Sequence, residues 1–215
     1  MVTSLTETRH AAGFMVSEAP GTRSRDVGTV ISGATLLAGA VLGKITKGTA
    51  AAVAGTNTGN GTMGAITVGA AAVAGVYTLT ITVAATNAGT FQVTDPDGDV
   101  VGMGTVAVAF SGGGLSFTLA DGATDFVRGD SFAITVAAGS GKYNAYDPTA
   151  TNGLEDAVAI LWDDVEASAA DKVGTIVTRD AEINWAELVW GSAVTTDGHK
   201  TTARAALALL GIIGR

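Results

Sequence analysis

AGSGKYNAYDP, Ala138 to Pro148, reads as the continuation of VLGKITKG, Val41 to Gly48. Each stretch carries a Gly-Lys pair followed by strand-like residues. The chain between them differs in composition, and from Gly48 to Thr94 it has no charged side chain. A chain that breaks off in one register and resumes it much later is made of more than one kind of piece.

At 215 residues the chain is long enough for one large domain or two modest ones. Apolar residues make up 47% and charged residues 15%, so burial can outweigh chain entropy. The 30 glycines have no collagen-like period and punctuate Val/Thr/Ile runs, which is the texture of a mainly β chain with many turns. A net charge of -8 argues against sequence-independent binding to nucleic acid, which needs Lys and Arg to displace counterions, and against docking on anionic lipid. With no cysteine there is neither a disulfide nor a zinc-thiolate site, which fits assembly in a reducing cytoplasm. The N-terminus MVTSLTETRH is polar and lacks the apolar core of a signal peptide. AITVGAAAVAGVYTLTITVAA (Ala65–Ala85) has the hydropathy of a membrane span, yet Thr78, Thr80 and Thr82 alternate with Leu79, Ile81 and Val83. That period of two predicts a half-buried strand.

Residues 1–26 mix charged and polar groups with scattered apolar ones and read as an arm, flexible when alone. Residues 27–49 form short β-like runs split by Gly33, Gly39 and Gly43. Residues 50–139 read as a small antiparallel sandwich with strands at 76–84, 89–94, 100–108, 115–119 and 131–137. DPDGD, Asp95 to Asp99, supplies a Pro-Asp-Gly turn. Phe91, Phe110, Phe117, Phe126 and Phe132 supply core bulk, and Arg128 stands against six aspartates for a net charge of -5. Glycine-rich runs at Gly55–Gly64 and Gly139–Gly141 suit mobile joints on either side. In residues 140–215, AVAILWDDV, GTIVTRDAEI and NWAELVW read as strands. TTARAALALL has helical spacing, with Thr201 or Thr202 as its cap.

Motifs for chemistry fail on context. GNGTMG (Gly59–Gly64) matches a dinucleotide-binding pattern but has no helix signal after it and no acid until Asp95. Asp95, Asp97 and Asp99 resemble the start of a calcium loop, but Val100 and Val106 occupy the positions that need Gly and Glu. Asp163 and Asp164 are neighbours and point to opposite faces of a strand, so they are a poor catalytic pair. His10 and His199 are too few for a metal or proton relay. We therefore expect no enzyme, no cofactor and no metal. Trp185 and Trp190 lie on opposite faces if the strand alternates, and an exposed one suits a subunit contact.

The outer pieces carry a resemblance. TETRHAAGFMVSEAPGTRSRD, VLGKIT, GKYNAYDPTATNG, AILWDDVEASAADKVGTIVTRDAEIN and ARAALALLGIIGR, in that order, resemble the lambda-type phage head decoration protein family. The likeness covers residues 3–48 and 140–215. It implies a small β-rich domain with a short C-terminal helix, forming homotrimers on the outer surface of the expanded capsid and stabilising it. It also implies an N-terminal arm that orders on the major capsid protein by adding a strand, with Thr6, Glu7, Arg9, His10, Phe14 and Ser17 on that arm. Residues 27–49 and 140–215 would then be one discontinuous domain, and residues 50–139 a β domain inserted at a hairpin-like junction. That explains the broken register. An alternative role for the middle piece is virion-surface display or binding of host proteins or glycans.

Overall fold

The computed structural model describes residues 9–215, which are mainly β. The chain forms two compact units. One comprises the chain up to Ile45 together with Gly141–Arg215, and the other is Thr46–Ser140.

In the first unit five short strands close into a barrel, in the spatial order Tyr143–Ala145, Arg25–Val30, Lys172–Val177, Ala159–Leu161 and Val41–Lys44. Only the contact of Tyr143–Ala145 with Arg25–Val30 is parallel. Closure leaves no unpaired edge in this sheet, and Val30, Leu42, Ala159, Leu161 and Ile176 fill its inside at 0% exposure. Ala34–Leu36 pairs with Val165–Ala167 beside the barrel. A second cluster gathers Phe14, Ile183, Leu207 and Ile212 under a three-stranded sheet and the single α-helix among the described residues, Asp197–Leu209.

Several local expectations change. The helix is capped by Thr196, whose hydroxyl accepts from the His199 amide at 3.3 Å. Thr201 and Thr202 lie inside the helix and donate to the carbonyls of Asp197 and Gly198, so neither caps. GTIVTRDAEI is two strands, Lys172–Val177 and Ala181–Ile183, and AVAILWDDV is broken after Leu161. NWAELVW is no strand: a 3₁₀ turn, Trp185–Glu187, occupies it, and the Asn184 side chain accepts from the Ala186 amide at 3.0 Å.

The second unit is an antiparallel sandwich. A five-stranded sheet runs in the order Lys47–Ala54, Ser131–Ala138, Gly75–Ala85, Ala88–Thr94 and Val100–Thr105. A three-stranded sheet runs Ala109–Gly112, Leu115–Thr118 and Thr67–Val68. Both contribute to one core. Along Gly75–Ala85, Tyr77, Leu79 and Ile81 are buried while Thr78 and Thr80 face away, but the expected alternation ends there: a bulge between Ile81 and Val83 leaves Val83 58% exposed. All five phenylalanines of the middle stretch are at most 5% exposed, with Phe110 and Phe117 centroids 4.9 Å apart and Phe126 edge-on to Phe132 at 5.9 Å. At DPDGD the Asp95 carboxylate accepts from the amides of Asp97 and Asp99, and Gly98 takes φ 93°. The strand from Val100 stops at Thr105 because Ala107 turns the chain at φ 62°, and pairing resumes at Ala109.

The glycine-rich run Gly55–Gly64 is packed against the core of this unit at Gly59 and Gly61 and is not a free joint at its edge. A Cβ on Gly59 or Gly61 would lie 2.6 Å or 2.5 Å from the Phe126 ring, so glycine is what lets the backbone approach it. The same run wraps Asp130, which is 4% exposed. The Asp130 carboxylate accepts from the amides of Thr58 (3.0 Å), Gly59 (2.9 Å) and Val127 (3.0 Å). Burial pushes the Asp130 carboxyl up, but the three amide donors outweigh it and hold the group below its ordinary value of 3.8.

Asp130→Ala should destabilise this unit by about 1–3 kcal/mol, because it orphans the buried Gly59 amide and two half-buried ones. Denaturant unfolding with amide hydrogen exchange at Thr58 and Gly59 measures the loss. Because the folded-state value is lowered, the carboxylate's contribution is complete above the ordinary value of 3.8 and drains away as pH falls below it. Asp130→Asn should remove that portion of the acid dependence.

Candidate functional site

The N-terminal segment enters the first unit by a tight turn. The Ala12 amide donates to the Trp162 carbonyl at 2.7 Å, the Gly13 amide to His10 O and the Met15 amide to Ala12 O, while Ala12 takes φ 56°. Arg9 Nη1 donates to the Glu187 carbonyl at 2.7 Å, and His10 is exposed. Thr6 and Glu7 lie outside the described residues.

Phe14 corrects the arm reading. It is 2% exposed and packs in the cluster with Ile183, Leu207 and Ile212, where no partner molecule can touch it. The chain then pairs as Met15–Glu18 with Ala181–Ile183, which pairs in parallel with Ile212–Gly214. A bulge falls between Met15 and Ser17, and Ser17 Oγ donates to Glu182 Oε2 at 3.2 Å. Residues 14–26 are therefore framework, since the apolar payload of Phe14 and the Met15–Glu18 ladder outweigh the polar composition around them. Met15–Glu18 ends its sheet, so its outer edge has no strand partner among the described residues.

Polar contacts tie this edge strand to the barrel. The Glu18 carboxylate accepts from Arg25 Nε at 2.8 Å and from Ser24 Oγ at 2.6 Å, and Arg25, first, then Ser24 hold its carboxyl below the usual range. Arg25 in turn lies 3.6 Å over the Trp162 ring. Asp26 accepts from Arg179 Nη1 at 2.5 Å.

Trp185 and Trp190 come to one place, not to opposite faces. The Trp185 ring packs close against Gly214, where a Cβ would meet it at 2.2 Å. Trp190 is held by its neighbour Val189, whose amide and carbonyl bond to Gly39 and Val41. The Arg204 guanidinium lies 5.3 Å from the Trp185 ring and 6.0 Å from that of Trp190. The sequence reading missed Arg204. Its one signal is a lone basic residue in the apolar helical run ARAALALL. Among the described residues no group of three His, Cys, Asp or Glu could hold a metal, and no helix is long and apolar enough to cross a membrane.

The described residues thus bring together an open strand edge at Met15–Glu18 and, elsewhere, Trp185 and Trp190 near the Arg204 guanidinium. The chain belongs to the bacteriophage lambda head decoration protein D family, whose profile matches residues 4–212. That family is structural, and its members decorate the phage head. No curated protein gives a significant match.

Among solved structures, FlgL of Xanthomonas campestris is 23% identical over 47% of this chain and 33% of its own, with a TM-score of 0.34. The flagellar junction protein FlgL of Legionella pneumophila is 20% identical over 46% and 36%, at 0.35. The flagellar hook junction protein FlgK of Burkholderia pseudomallei is 24% identical over 56% and 21%, also at 0.35. The chain spans at most 36% of the length of these three, and likeness at such TM-scores carries no argument.

Removing residues 1–8 should leave thermal unfolding unchanged, because Phe14 and the Met15–Glu18 strand remain. Removing residues 1–20, or making Phe14→Ala, should destabilise the first unit, the substitution by about 3–5 kcal/mol. Circular dichroism melts of the three proteins decide this, and equal melting of the 1–20 deletion would contradict the placement of Phe14.

Proposed function

We propose that the protein decorates the outer surface of the expanded phage capsid as homotrimers and stabilises the shell against packaged DNA. Family membership supports this reading, and the observation that carries its mechanism is the open edge of Met15–Glu18, into which the N-terminal segment leads. An edge strand offers unpaired N–H and C=O groups to a further strand, and strand addition is a recurring way to grip a partner. The proposed contacts to the major capsid protein are Thr6, Glu7, Arg9, His10 and Ser17, with Phe14 anchoring the segment from inside the core. Trp185 and Trp190 are the proposed trimer contact. Ordering an arm of about ten residues costs roughly 1–2 kcal/mol per residue, so a lone arm binds weakly. Three arms on one trimer offset that cost through avidity.

Thr46–Ser140 is proposed as a domain inserted into the decoration unit and dispensable for cementing. In support, its first and last strands pair with each other, from Phe132 opposite Ala54 to Ala138 opposite Lys47, and the Gly139 amide bonds to Thr46 O at 2.9 Å. A unit whose two ends are held together can be carried on a loop tip without straining its host. Its separate core favours a second, compatible role for this unit alone, in display on the virion surface or in binding host proteins or glycans.

Mixing the protein with expanded, undecorated shells and imaging them tests the reading. Density is expected at the local threefold positions. A chain with Thr46–Ser140 replaced by a short turn should still decorate the shells, and a chain lacking residues 1–8 should not. Undiminished decoration by the shortened N-terminus would overturn the arm mechanism, and a turn-substituted chain that cannot fold would overturn the insertion.

A further inference from the structure

Asn152 and Gly153 form one of two Asn-Gly pairs in the chain, the other being Asn60 and Gly61. A glycine after asparagine has no side chain to shield its amide nitrogen from the asparagine carboxamide. The two pairs are held in opposite ways. Around Asn152 the contacts are local. Asn152 Oδ1 accepts from the Leu154 amide at 3.2 Å, and the Gly153 amide donates to Glu155 Oε2 at 2.6 Å. The Gly153 carbonyl accepts from the Asp156 amide at 3.3 Å, and Gly153 itself is buried at φ 107°. Asn60 is instead tied to a distant segment. Its amide donates to the Thr124 carbonyl at 3.2 Å, and its Oδ1 accepts from the Thr124 amide at 2.9 Å. Gly61 is hemmed in, since a Cβ there would lie 2.3 Å from the Ala120 carbonyl oxygen.

We infer that Asn152–Gly153 is a site of self-catalysed deamidation, with Glu155 as the base and the Leu154 amide as the oxyanion donor. Gly153 N bonds to Asn152 Cγ while the Glu155 carboxylate takes the amide proton. The charge that develops on Oδ1 is met by the Leu154 N–H, in the manner of an oxyanion hole. The adduct collapses by breaking the Cγ–Nδ2 bond, and ammonia leaves with the proton that Glu155 held. Water then opens the cyclic imide at either carbonyl and leaves aspartate or isoaspartate at position 152. The net change is amide plus water to carboxylate plus ammonium. Base and donor already bonded to the reacting groups replace a chance encounter in the unfolded chain. Asn60 would first have to break both of its bonds to Thr124. The product adds a negative charge, and isoaspartate adds a backbone methylene, to a loop pressed against the barrel. A Cβ on Gly43 would lie only 2.5 Å from the Leu154 backbone. Conversion is therefore a one-way change that loosens the first unit as the protein ages.

The test follows both Asn-Gly pairs of the full chain by peptide mapping and mass spectrometry, during timed incubation at neutral pH, folded and in denaturant. Each conversion is read as the mass gain of one amide-to-acid exchange and by the appearance of isoaspartate. In denaturant the two pairs are expected to react alike. In the folded chain Asn152 is expected to convert at least about tenfold faster than in denaturant, and Asn60 more slowly than in denaturant. Glu155→Gln should lower the folded rate at Asn152 by at least about tenfold and leave that at Asn60 unchanged. Conversion at Asn152 no faster in the folded chain than in denaturant would overturn the proposal. An unchanged rate in Glu155→Gln would remove Glu155 as the base. If that variant does not fold, the comparison of folded with unfolded wild type decides.

Discussion

The pairing of Val41–Lys44 with Tyr143–Ala145 is the contact on which the first unit depends. It joins segments far apart in sequence, and it closes the barrel, since Tyr143–Ala145 is the strand that bridges Val41–Lys44 and Arg25–Val30. Two bonds extend the ladder to the limit of the unit, Ile45 N to Lys142 O and Gly141 N to Ile45 O, both 2.9 Å. Closing a long floppy loop to make this pair would cost entropy that grows with the logarithm of its length. The intervening chain is folded, with its own first and last strands in register, so its ends arrive already together. Each unit thus lowers the entropic cost of forming the ladder that bounds the other.

Within Thr46–Ser140 the apolar core is conventional, and the telling groups are its buried polar ones. Asp130 is charged and almost wholly buried, a combination tolerated because two amides of a glycine-rich run, Thr58 and Gly59, and the Val127 amide converge on it. Lys47 is 6% exposed, and its ammonium donates to the Ala70 carbonyl. These two groups hold irregular segments, Gly55–Gly64 and the turn at Gly69–Ala72, against the sandwich. A short stretch without regular structure is fixed here by charge-assisted hydrogen bonds rather than by ladder pairing.

The first unit manages its edges unevenly. The barrel has none, whereas the sheet of Met15–Glu18, Ala181–Ile183 and Ile212–Gly214 has two. Proteins blunt exposed edges or use them, and among the described residues this one leaves the outer edge of Met15–Glu18 unpaired while pinning that strand with Phe14, Glu18 and Arg25.

Much of the architecture was legible in local pattern. The alternation of Thr78, Thr80 and Thr82 with Leu79 and Ile81 specified a half-buried strand, DPDGD specified its turn, and the outer motifs specified the family. Those features depend on residues two to four positions apart, and such neighbours are fixed by the sequence itself. What tertiary structure decided depended on distant partners. Phe14 looks like part of a polar arm until Ile183 and Leu207 enclose it, and Gly55–Gly64 looks like a tether until Phe126 and Asp130 press on it. NWAELVW has a strand's composition, but Asn184 accepting from the Ala186 amide and Trp185 packing against Gly214 accompany a 3₁₀ turn there. Alternation then no longer applies, and both tryptophans reach Arg204 from the same region of the fold. Periodicity shows which faces a segment can bury, but the long-range contacts that a segment finds on folding determine which of them it buries, and against what.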